Sequence, residues 1–212
     1  MIAIIDSGIA NLRSAQKGFE RVGGDAKIVD DPRALRDASG IVLPGVGAFR
    51  DGITKLRDGG FVEPLLRAIE VGKPVLGICL GLHFLFSESE EFGHHRGLNI
   101  VKGRVVRFPD AVVSGNGGGT MTRLKVPHIG WNQIRIERQA PIFRGIPDGS
   151  FFYFVHSYYV IPEDAGVIAA TTEYGHRFTS ILWKDNLFAC QFHPEKSQAL
   201  GLQLLKNFAS LT

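Results

Sequence analysis

Short apolar runs alternate with helix-like segments over the first 80 residues, and this alternation restricts the possible folds more than any other feature of the chain. The four runs cover residues 2–5, 26–29, 41–43 and 75–78. Unpatterned apolar runs of this length are typical of strands that are buried on both faces of a parallel sheet. Apolar residues at helical spacing, as from about residue 11 to 22, indicate helices that cover the sheet. The pattern therefore predicts an α/β fold with a largely parallel sheet at this end of the chain.

The second half of the chain contains strand-like runs with few helices between them. The six runs cover residues 101–108, 131–136, 151–161, 166–172, 180–183 and 187–192. We expect them to extend the sheet with antiparallel strands, and residues 200–211 to close the chain as an amphipathic helix. The expected architecture is a single α/β domain whose central sheet is mixed, largely parallel and flanked by helices.

Length and composition agree with one globular domain over residues 1–212. Hydrophobic residues make up 44% of the chain and charged residues 21%, which suffices for a core and excludes a disordered class. The net charge of +3 comes without a long run of Lys and Arg, so we expect no nucleic-acid partner. The longest stretch nearly free of charge, residues 74–86, is too short to span a bilayer, and no signal peptide is recognisable, so we expect no membrane association.

Two further features of the sequence restrict the kinds of metal and ligand site that the chain can form. The only cysteines, Cys79 and Cys190, are far apart and lack the spacing of a zinc site, so we expect no metal and a reducing cytoplasm. Residues 114–120 are rich in glycine, which predicts a flexible surface loop. A phosphate-binding loop is the alternative, but neither a leading strand nor a following helix supports it.

The clearest chemical motif is a cysteine between two glycines, Gly-Ile-Cys-Leu-Gly at residues 77–81, which follows an apolar run and precedes a helical one. The same strand, turn and helix form the nucleophile elbow of serine hydrolases, with cysteine here in place of serine. The glycines allow strand and helix to approach closely, and the helix N-terminus stabilises a thiolate. A lone cysteine is more often a small buried hydrophobic residue, but this context favours a nucleophile.

A thiolate nucleophile needs a general base and a group that orients the base. The segment Gln-Phe-His-Pro-Glu at residues 191–195 offers both, because residues two apart in extended backbone project to the same side. A histidine beside a proline is otherwise more often structural. Among the seven histidines, however, only His193 has a carboxylate two residues later at the end of an apolar run.

The segments at residues 77–81 and 191–195 together resemble the triad (class I) glutamine amidotransferases. The resemblance implies Cys79 as nucleophile, His193 as base and acid, and Glu195 as the orienting carboxylate. It also implies the flavodoxin-like fold of that class and hydrolysis of glutamine to glutamate and ammonia through a cysteinyl thioester, without any cofactor.

Two more segments, residues 44–49 and 126–132, are similar to the family of glutaminase subunits of imidazole glycerol phosphate synthases. This resemblance, which runs from Asp6 to Lys196, implies a place in histidine biosynthesis. The implied partner is a (β/α)₈-barrel cyclase subunit, bound as a heterodimer, which receives the ammonia. The residues that match the docking and gating positions of the family are Trp131, Asn132, Tyr153 and Lys196.

The resemblance also implies an oxyanion hole for the thioester step. Its donors would be the backbone N–H of Leu80 and that of Val46 or Gly47, in a loop whose Gly45 would also contact the substrate. By spacing alone, Pro-Gly-Val-Gly at residues 44–47 is an ordinary turn at the end of a strand.

Four other residues match positions that bind glutamine in the family. Glu91 would take the α-ammonium group, although its acidic surroundings at residues 88–91 are more often a solvated surface. The backbone at Ser157 and Tyr158 would meet the α-carboxylate. His83 stands four residues after the nucleophile, where the family usually has Gln; its imidazole would offer one donor and one acceptor and would titrate near neutral pH.

Two other functions remain open from the sequence. The triad alone does not identify the acceptor, so a glutaminase serving another synthase is one alternative, against which residues 127–132 argue. The second alternative is a catalytically silent regulatory relative whose triad is misaligned.

Overall fold

The computed structural model describes residues 1–6, 8, 11–114 and 120–212. The glycine-rich loop that the sequence predicts over residues 114–120 lies almost entirely outside the described residues. Within these ranges, no helix combines the length and the apolar character needed to cross a membrane.

Helices and short strands alternate as far as the middle of the chain. The helices are α1 (Leu12–Arg21), α2 (Ala34–Asp37), α3 (Phe49–Asp58), α4 (Val62–Glu70), α5 (Leu80–Phe84) and α6 (Gln198–Ala209). The strands of the first half are β1 (Ile2–Ile5), β2 (Ala26–Val29), β3 (Gly40–Gly45), β4 (Val75–Cys79), β5 (Phe86–Ser89), β6 (His95–Arg96) and β7 (Val101–Arg107). Those of the second half are β8 (Ala111–Ser114), β9 (Thr120–Arg123), β10 (His128–Gln133), β11 (Arg135–Ile136), β12 (Phe151–His156), β13 (Tyr158–Pro162), β14 (Ile168–Glu173), β15 (Arg177–Lys184) and β16 (Leu187–Cys190).

The main sheet has the order β2-β1-β3-β4-β16-β15-β13-β7-β5-β6, with β14 also paired to β15 and β11 to β14. The pairs from β2 to β16 are parallel, and those from β16 through β15 and β13 to β7 are antiparallel. The mixed α/β sheet with an antiparallel extension that the sequence predicts is therefore confirmed. In this order β4 and β16 are neighbours, which brings the two predicted catalytic segments side by side.

Both faces of the sheet are buried, and alternate residues of the strands face opposite clusters. In β1, Ile2 and Ile4 face a cluster that includes Phe19 of α1 and Phe208 of α6. Ala3 and Ile5 face the cluster on the other side, which includes residues of α3 and α4 such as Ile53 and Leu65. This burial explains why the strand sequences are continuously apolar, with no alternation of polar and apolar residues.

Four features differ from the sequence prediction. The run at residues 131–136 is divided between β10, which pairs with β12, and β11, which pairs with β14 in the main sheet. The apolar run at residues 151–161 is two strands, β12 and β13, which separate at Ser157 because β12 pairs with β10 in a small sheet of its own. The helical segment before residue 70 is two helices, which the Gly59-Gly60 pair separates. Strands β5, β6, β8 and β9 were not predicted, since they are short and have a mixed polar and apolar sequence.

Candidate active site

Cys79 is the last residue of β4 and precedes the first residue of α5, so it lies at the sharp turn that the sequence predicts. Its backbone has φ 55° and ψ −109°, a conformation that costs a residue with a Cβ on the order of 1 to 3 kcal/mol. The turn also needs Gly81, because a Cβ there would collide with the carbonyl oxygen of Leu43 on β3. Strain and close packing of this kind are typical of a nucleophile elbow.

His193 and Glu195 follow β16, the strand beside β4. The Nδ1 atom of His193 lies 2.7 Å from Oε1 of Glu195, and the two side chains are almost completely buried. The other ring nitrogen is left for Cys79, which is near enough to raise the pKa of the imidazole. The structure thus brings the three predicted catalytic side chains together in the order thiol, imidazole and carboxylate.

Burial acts to lower the pKa of His193, but its interactions with Cys79 and Glu195 raise it to about 10. A raised imidazole pKa means that the ring keeps both of its protons at neutral pH. The site therefore favours an imidazolium at His193, with Glu195 accepting the proton of Nδ1, and a neighbouring imidazolium is a general means of stabilising a cysteine thiolate.

The backbone of His193 is attached to strand β12. Its N–H donates to the carbonyl oxygen of Tyr153 over 3.0 Å, and its own carbonyl accepts from the hydroxyl of Ser197 over 2.6 Å. The hydroxyl oxygen of Ser197 in turn accepts from the N–H of Tyr153 over 3.0 Å. Tyr153 and Ser197 therefore position His193 through its main chain.

The predicted oxyanion loop lies beside the nucleophile. Gly45, the last residue of β3, is paired in register with Cys79, and the loop of residues 46–48 then leads into α3. Gly47 has φ +90°, which a residue with a side chain rarely adopts. Leu80 is the first residue of α5, so its N–H has no partner within the helix. The structure places these predicted donors on two adjacent strand ends.

Glu91 approaches the same loop from the other side. Its Oε2 atom accepts a hydrogen bond of 2.7 Å from the N–H of Phe49, the first residue of α3. Burial raises the pKa of Glu91, and this N–H opposes the rise. Glu91 also raises the pKa of Tyr158, for which burial is the larger cause, so the two residues lie near each other. Two of the predicted glutamine-binding residues thus share one side of the site.

Ser157 lies at the junction of β12 and β13, between the small sheet and the main sheet. Its carbonyl oxygen accepts a hydrogen bond of 3.0 Å from the N–H of Phe108. A main-chain contact of Ser157 with a substrate carboxylate therefore depends on its N–H group, since a carbonyl cannot donate.

His83 differs from the expectation. The side chain is buried, and Nε2 lies 2.8 Å from Oε1 of Gln191. Burial lowers the pKa of His83 to about 4, although the bond to Gln191 opposes this. The titration near neutral pH that the sequence suggested is therefore wrong, because the imidazole is removed from water.

Gln191 is the functional residue that the sequence reasoning missed. Its amide Nε2 lies 4.0 Å from Sγ of Cys79, and the residue is completely buried. The signal was present, because Gln191 directly follows β16 and precedes His193 by two positions.

A chain of hydrogen bonds runs from Asn132 to Tyr158 through two buried histidines. His156 Nδ1 donates to the carbonyl of Tyr158 over 2.8 Å, which leaves His156 Nε2 to accept from His128 Nδ1 over 3.0 Å. His128 Nε2 then accepts from the amide of Asn132 over 3.2 Å. Burial lowers the pKa of His128 to about 4 and that of His156 well below its usual range, so neutral rings complete the chain. The sequence predicts that Asn132 contacts a partner, whereas in the structure its amide is directed inward to His128.

The outer face of the β10 and β12 sheet exposes a group of large side chains. We call this group the β10–β12 face; it consists of Ile129, Trp131, Phe151 and Tyr153. Trp131 is 46% exposed and stands opposite Tyr153 in the register, with ring centroids 6.2 Å apart. Lys196 is exposed in the short 3-10 turn that follows His193. Exposed apolar surface of this kind is typical of interaction sites.

Comparison with known proteins identifies the family to which the chain is similar. The family model described as "Glutamine amidotransferase class-I" matches residues 3–211. A protein of Syntrophotalea carbinolica named "Imidazole glycerol phosphate synthase subunit HisH" is 61% identical over 100% of this chain and 100% of its own. A protein of Geobacter sulfurreducens with the same name is 55% identical, over 99% of this chain and 98% of its own.

The fold is shared with solved structures of much lower identity. A structure described as PurLQS from Thermotoga maritima has a TM-score of 0.72 at 18% identity and covers 99% of this chain and 95% of that chain. At this level of identity the likeness concerns the fold alone.

Proposed function

The chain belongs to the class-I glutamine amidotransferase family, and from this we propose that it is the cytoplasmic glutaminase subunit of an imidazole glycerol phosphate synthase. It would hydrolyse glutamine and deliver the ammonia to a separate cyclase subunit. The arrangement of Cys79, His193 and Glu195 at the junction of β4 and β16 is the observation that carries the catalytic part of the proposal. Full-length relatives named as HisH subunits support the identity of the synthase.

The first half of the reaction forms a thioester. The thiolate of Cys79 attacks the side-chain carbonyl carbon of glutamine, and the developing negative charge lies on the carbonyl oxygen. Backbone N–H groups of Leu80 and of the loop at Val46 and Gly47 would stabilise that oxygen. The C–N bond then breaks, and the leaving nitrogen takes the proton of His193, so that ammonia departs.

The second half regenerates the enzyme. His193, now neutral, accepts a proton from a water molecule as that water attacks the thioester carbonyl. Glutamate leaves when the C–S bond breaks, and His193 and Cys79 again share the proton. Glu195 keeps the same tautomer of the imidazole available in both halves, because it accepts from Nδ1 throughout.

Substrate binding would use groups on both sides of the nucleophile. Glu91 supplies a carboxylate for the α-ammonium group, and the backbone at Ser157 and Tyr158 meets the α-carboxylate. Gly45 borders the site because it is paired with Cys79. Glu91 also caps α3 directly after the oxyanion loop. A movement of Glu91 on binding of the ammonium group would therefore displace the end of that loop.

The cyclase would dock on the β10–β12 face and Lys196. This surface combines exposed aromatic rings with a lysine beside the catalytic turn, a composition that is typical of interface anchors. Asn132 would act from behind the face, since its amide is engaged with His128 and with the carbonyl of Glu173. The main-chain bonds of Tyr153 then connect the docking surface to His193.

Two other functions are weighed against this proposal. A catalytically silent relative would not need the buried pairing of His193 with Glu195 at 2.7 Å. A glutaminase for another acceptor would share the triad and differ in the docking face. Glutamate production measured alone, with a cyclase subunit, and with the cyclase plus its nucleotide ligand separates the three. Stimulation by the cyclase is expected; no activity under any condition would indicate the silent relative, and activity indifferent to the cyclase would indicate another acceptor.

A further inference from the structure

Behind the nucleophile, two buried side chains form a hydrogen-bonded pair that the triad does not include. His83 projects from α5 and Gln191 follows β16, so residues 108 positions apart meet below Cys79. The Nε2 atom of His83 is 2.8 Å from Oε1 of Gln191, and Nε2 of Gln191 is 4.0 Å from Sγ of Cys79. The two contacts connect the helix to the sulfur through one amide group.

The chemistry of the groups determines the direction of both bonds. An amide N–H facing the sulfur can donate to a thiolate, whereas the reverse orientation would set a carbonyl oxygen against a negative charge. Oxygen Oε1 of Gln191 then faces His83 and needs a donor, so the imidazole carries its proton on Nε2. Among the described residues Nδ1 of His83 is buried without a hydrogen-bond partner, and a proton there would be a donor without an acceptor.

We propose that His83 is a positioning residue for the reaction: its Nε2–H holds the amide of Gln191 so that Gln191 donates a hydrogen bond to the thiolate of Cys79. This inference rests on the proposed function, because it concerns the same nucleophile. It assigns His83 a role that acts through Gln191, in place of the direct contact with glutamine that the sequence suggested.

Burial of the pair supports this direction. Gln191 is completely buried and His83 is 4% exposed, so neither group exchanges its partner for water. Because burial lowers the pKa of His83 to about 4, its ring is neutral at physiological pH and adds no positive charge beside the sulfur. The negative charge of the thiolate is then stabilised by His193⁺ on one side and by the amide dipole of Gln191 on the other.

Three variants test the inference. His83→Phe keeps a ring and removes the donor, His83→Gln keeps a donor that can reach the same oxygen, and Gln191→Met keeps the length of the side chain and removes the N–H. The readout is the rate of alkylation of Cys79 by iodoacetamide as a function of pH, with peptide mass spectrometry to separate Cys79 from Cys190. The other titratable neighbours of Cys79, which are His193 with Glu195 and Cys190, are unchanged in every variant.

For His83→Phe and Gln191→Met we expect the midpoint of the alkylation profile to rise by about one pH unit, as the loss of a hydrogen bond to a charged sulfur implies. Both should lower kcat for glutamine hydrolysis about tenfold with KM changed less than about twofold. In His83→Gln the midpoint should lie close to the wild-type value, and kcat should recover most of the loss seen in His83→Phe.

The alkylation profile needs no turnover, so its outcome is independent of whether the wild-type protein hydrolyses glutamine. A midpoint unchanged in folded Gln191→Met would overturn the proposal, as would an effect of His83→Phe on KM alone, which would indicate direct substrate contact. If His83→Phe does not fold, Gln191→Met decides by itself.

Discussion

The carbonyl oxygen of Tyr153 accepts a hydrogen bond of 3.0 Å from the backbone N–H of His193. The same tyrosine presents its ring on the outer face of the small sheet, opposite Trp131. One residue therefore belongs both to the proposed docking surface and to the support of the proposed catalytic base. A shift of β12 on docking would move His193 through this one hydrogen bond. The bond gives a physical route by which a partner could influence glutamine hydrolysis.

Truncation of Trp131 tests the docking surface. Trp131→Ala should weaken assembly with the cyclase by about 1 to 4 kcal/mol, the range for loss of an aromatic interface anchor. The dissociation constant can be measured by titration calorimetry. Leu66→Ala is the matched control, because this leucine is 40% exposed on α4, whose buried residues belong to a different core cluster from those of β12. Equal affinities for both variants and the wild type would exclude this face.

Glu195 and His193 should differ in how much activity their loss removes. Glu195→Gln retains an acceptor for the Nδ1 proton and loses the charge, whereas His193→Ala removes the proton-transfer group itself. We expect the lower kcat for His193→Ala, measured as glutamate release in the presence of the cyclase. Losses of the same size, or a larger loss for Glu195→Gln, would contradict the assigned roles.

Substitution can separate the observed cap that Glu91 gives to α3 from its proposed role in substrate binding. Glu91→Gln keeps an oxygen for the N–H of Phe49 and removes the charge that we propose binds an ammonium group. We expect KM for glutamine to rise about tenfold or more with little loss of thermal stability, while Glu91→Ala also removes the cap of α3 and lowers the unfolding free energy by about 1 kcal/mol. An unchanged KM in Glu91→Gln would remove Glu91 from the binding site.

The buried histidines should make the fold sensitive to acid. For His83 and His128 the pKa is about 4 in the folded protein and 6.5 in the unfolded chain, so between these values the unfolded chain binds more protons. The free energy of unfolding therefore decreases as the pH falls from 6.5 toward 4. His193 acts in the opposite direction: its pKa of about 10 makes stability fall as the pH rises from 6.5 through 10.

His83→Gln isolates one of these contributions. Chemical unfolding of the wild type and the variant at pH 6.5 and 4.5 should show the wild type losing up to about 2 kcal/mol more than the variant over this interval. Parallel losses in the two proteins would mean that His83 is already accessible to protons in the folded state.

The sequence alone predicts the structural features that depend on a local pattern of residues. Strand burial and the elbow at Cys79 follow from spacing along a few residues, and the structure has both of them. The pairing of His193 with Glu195 is also present, but Glu195 reaches the imidazole from the 3-10 turn at Pro194–Lys196 and not by alternation along extended backbone. The break of the apolar run at Ser157 does not follow, because both halves have the same pattern and only their pairing with β10 or β7 separates them.

Contacts between distant residues account for the rest. His83 has helical spacing from Cys79, which suggested a substrate contact, but its partner Gln191 comes from another element and only the packing of α5 against β16 brings the two together. The inward orientation of Asn132 likewise depends on the carbonyl of Glu173 in β14, a residue that β10 meets only in the folded protein.

The most direct test of the proposed function uses Cys79→Ala in complex with the cyclase subunit. Formation of imidazole glycerol phosphate is measured once with glutamine and once with ammonium salt as the nitrogen source. The proposal predicts that the variant loses the glutamine-dependent reaction completely and keeps the ammonium-dependent one at the wild-type rate, because only the thioester step is removed. Glutamine-dependent turnover that persists in Cys79→Ala would contradict the assignment of the nucleophile and, with it, the mechanism.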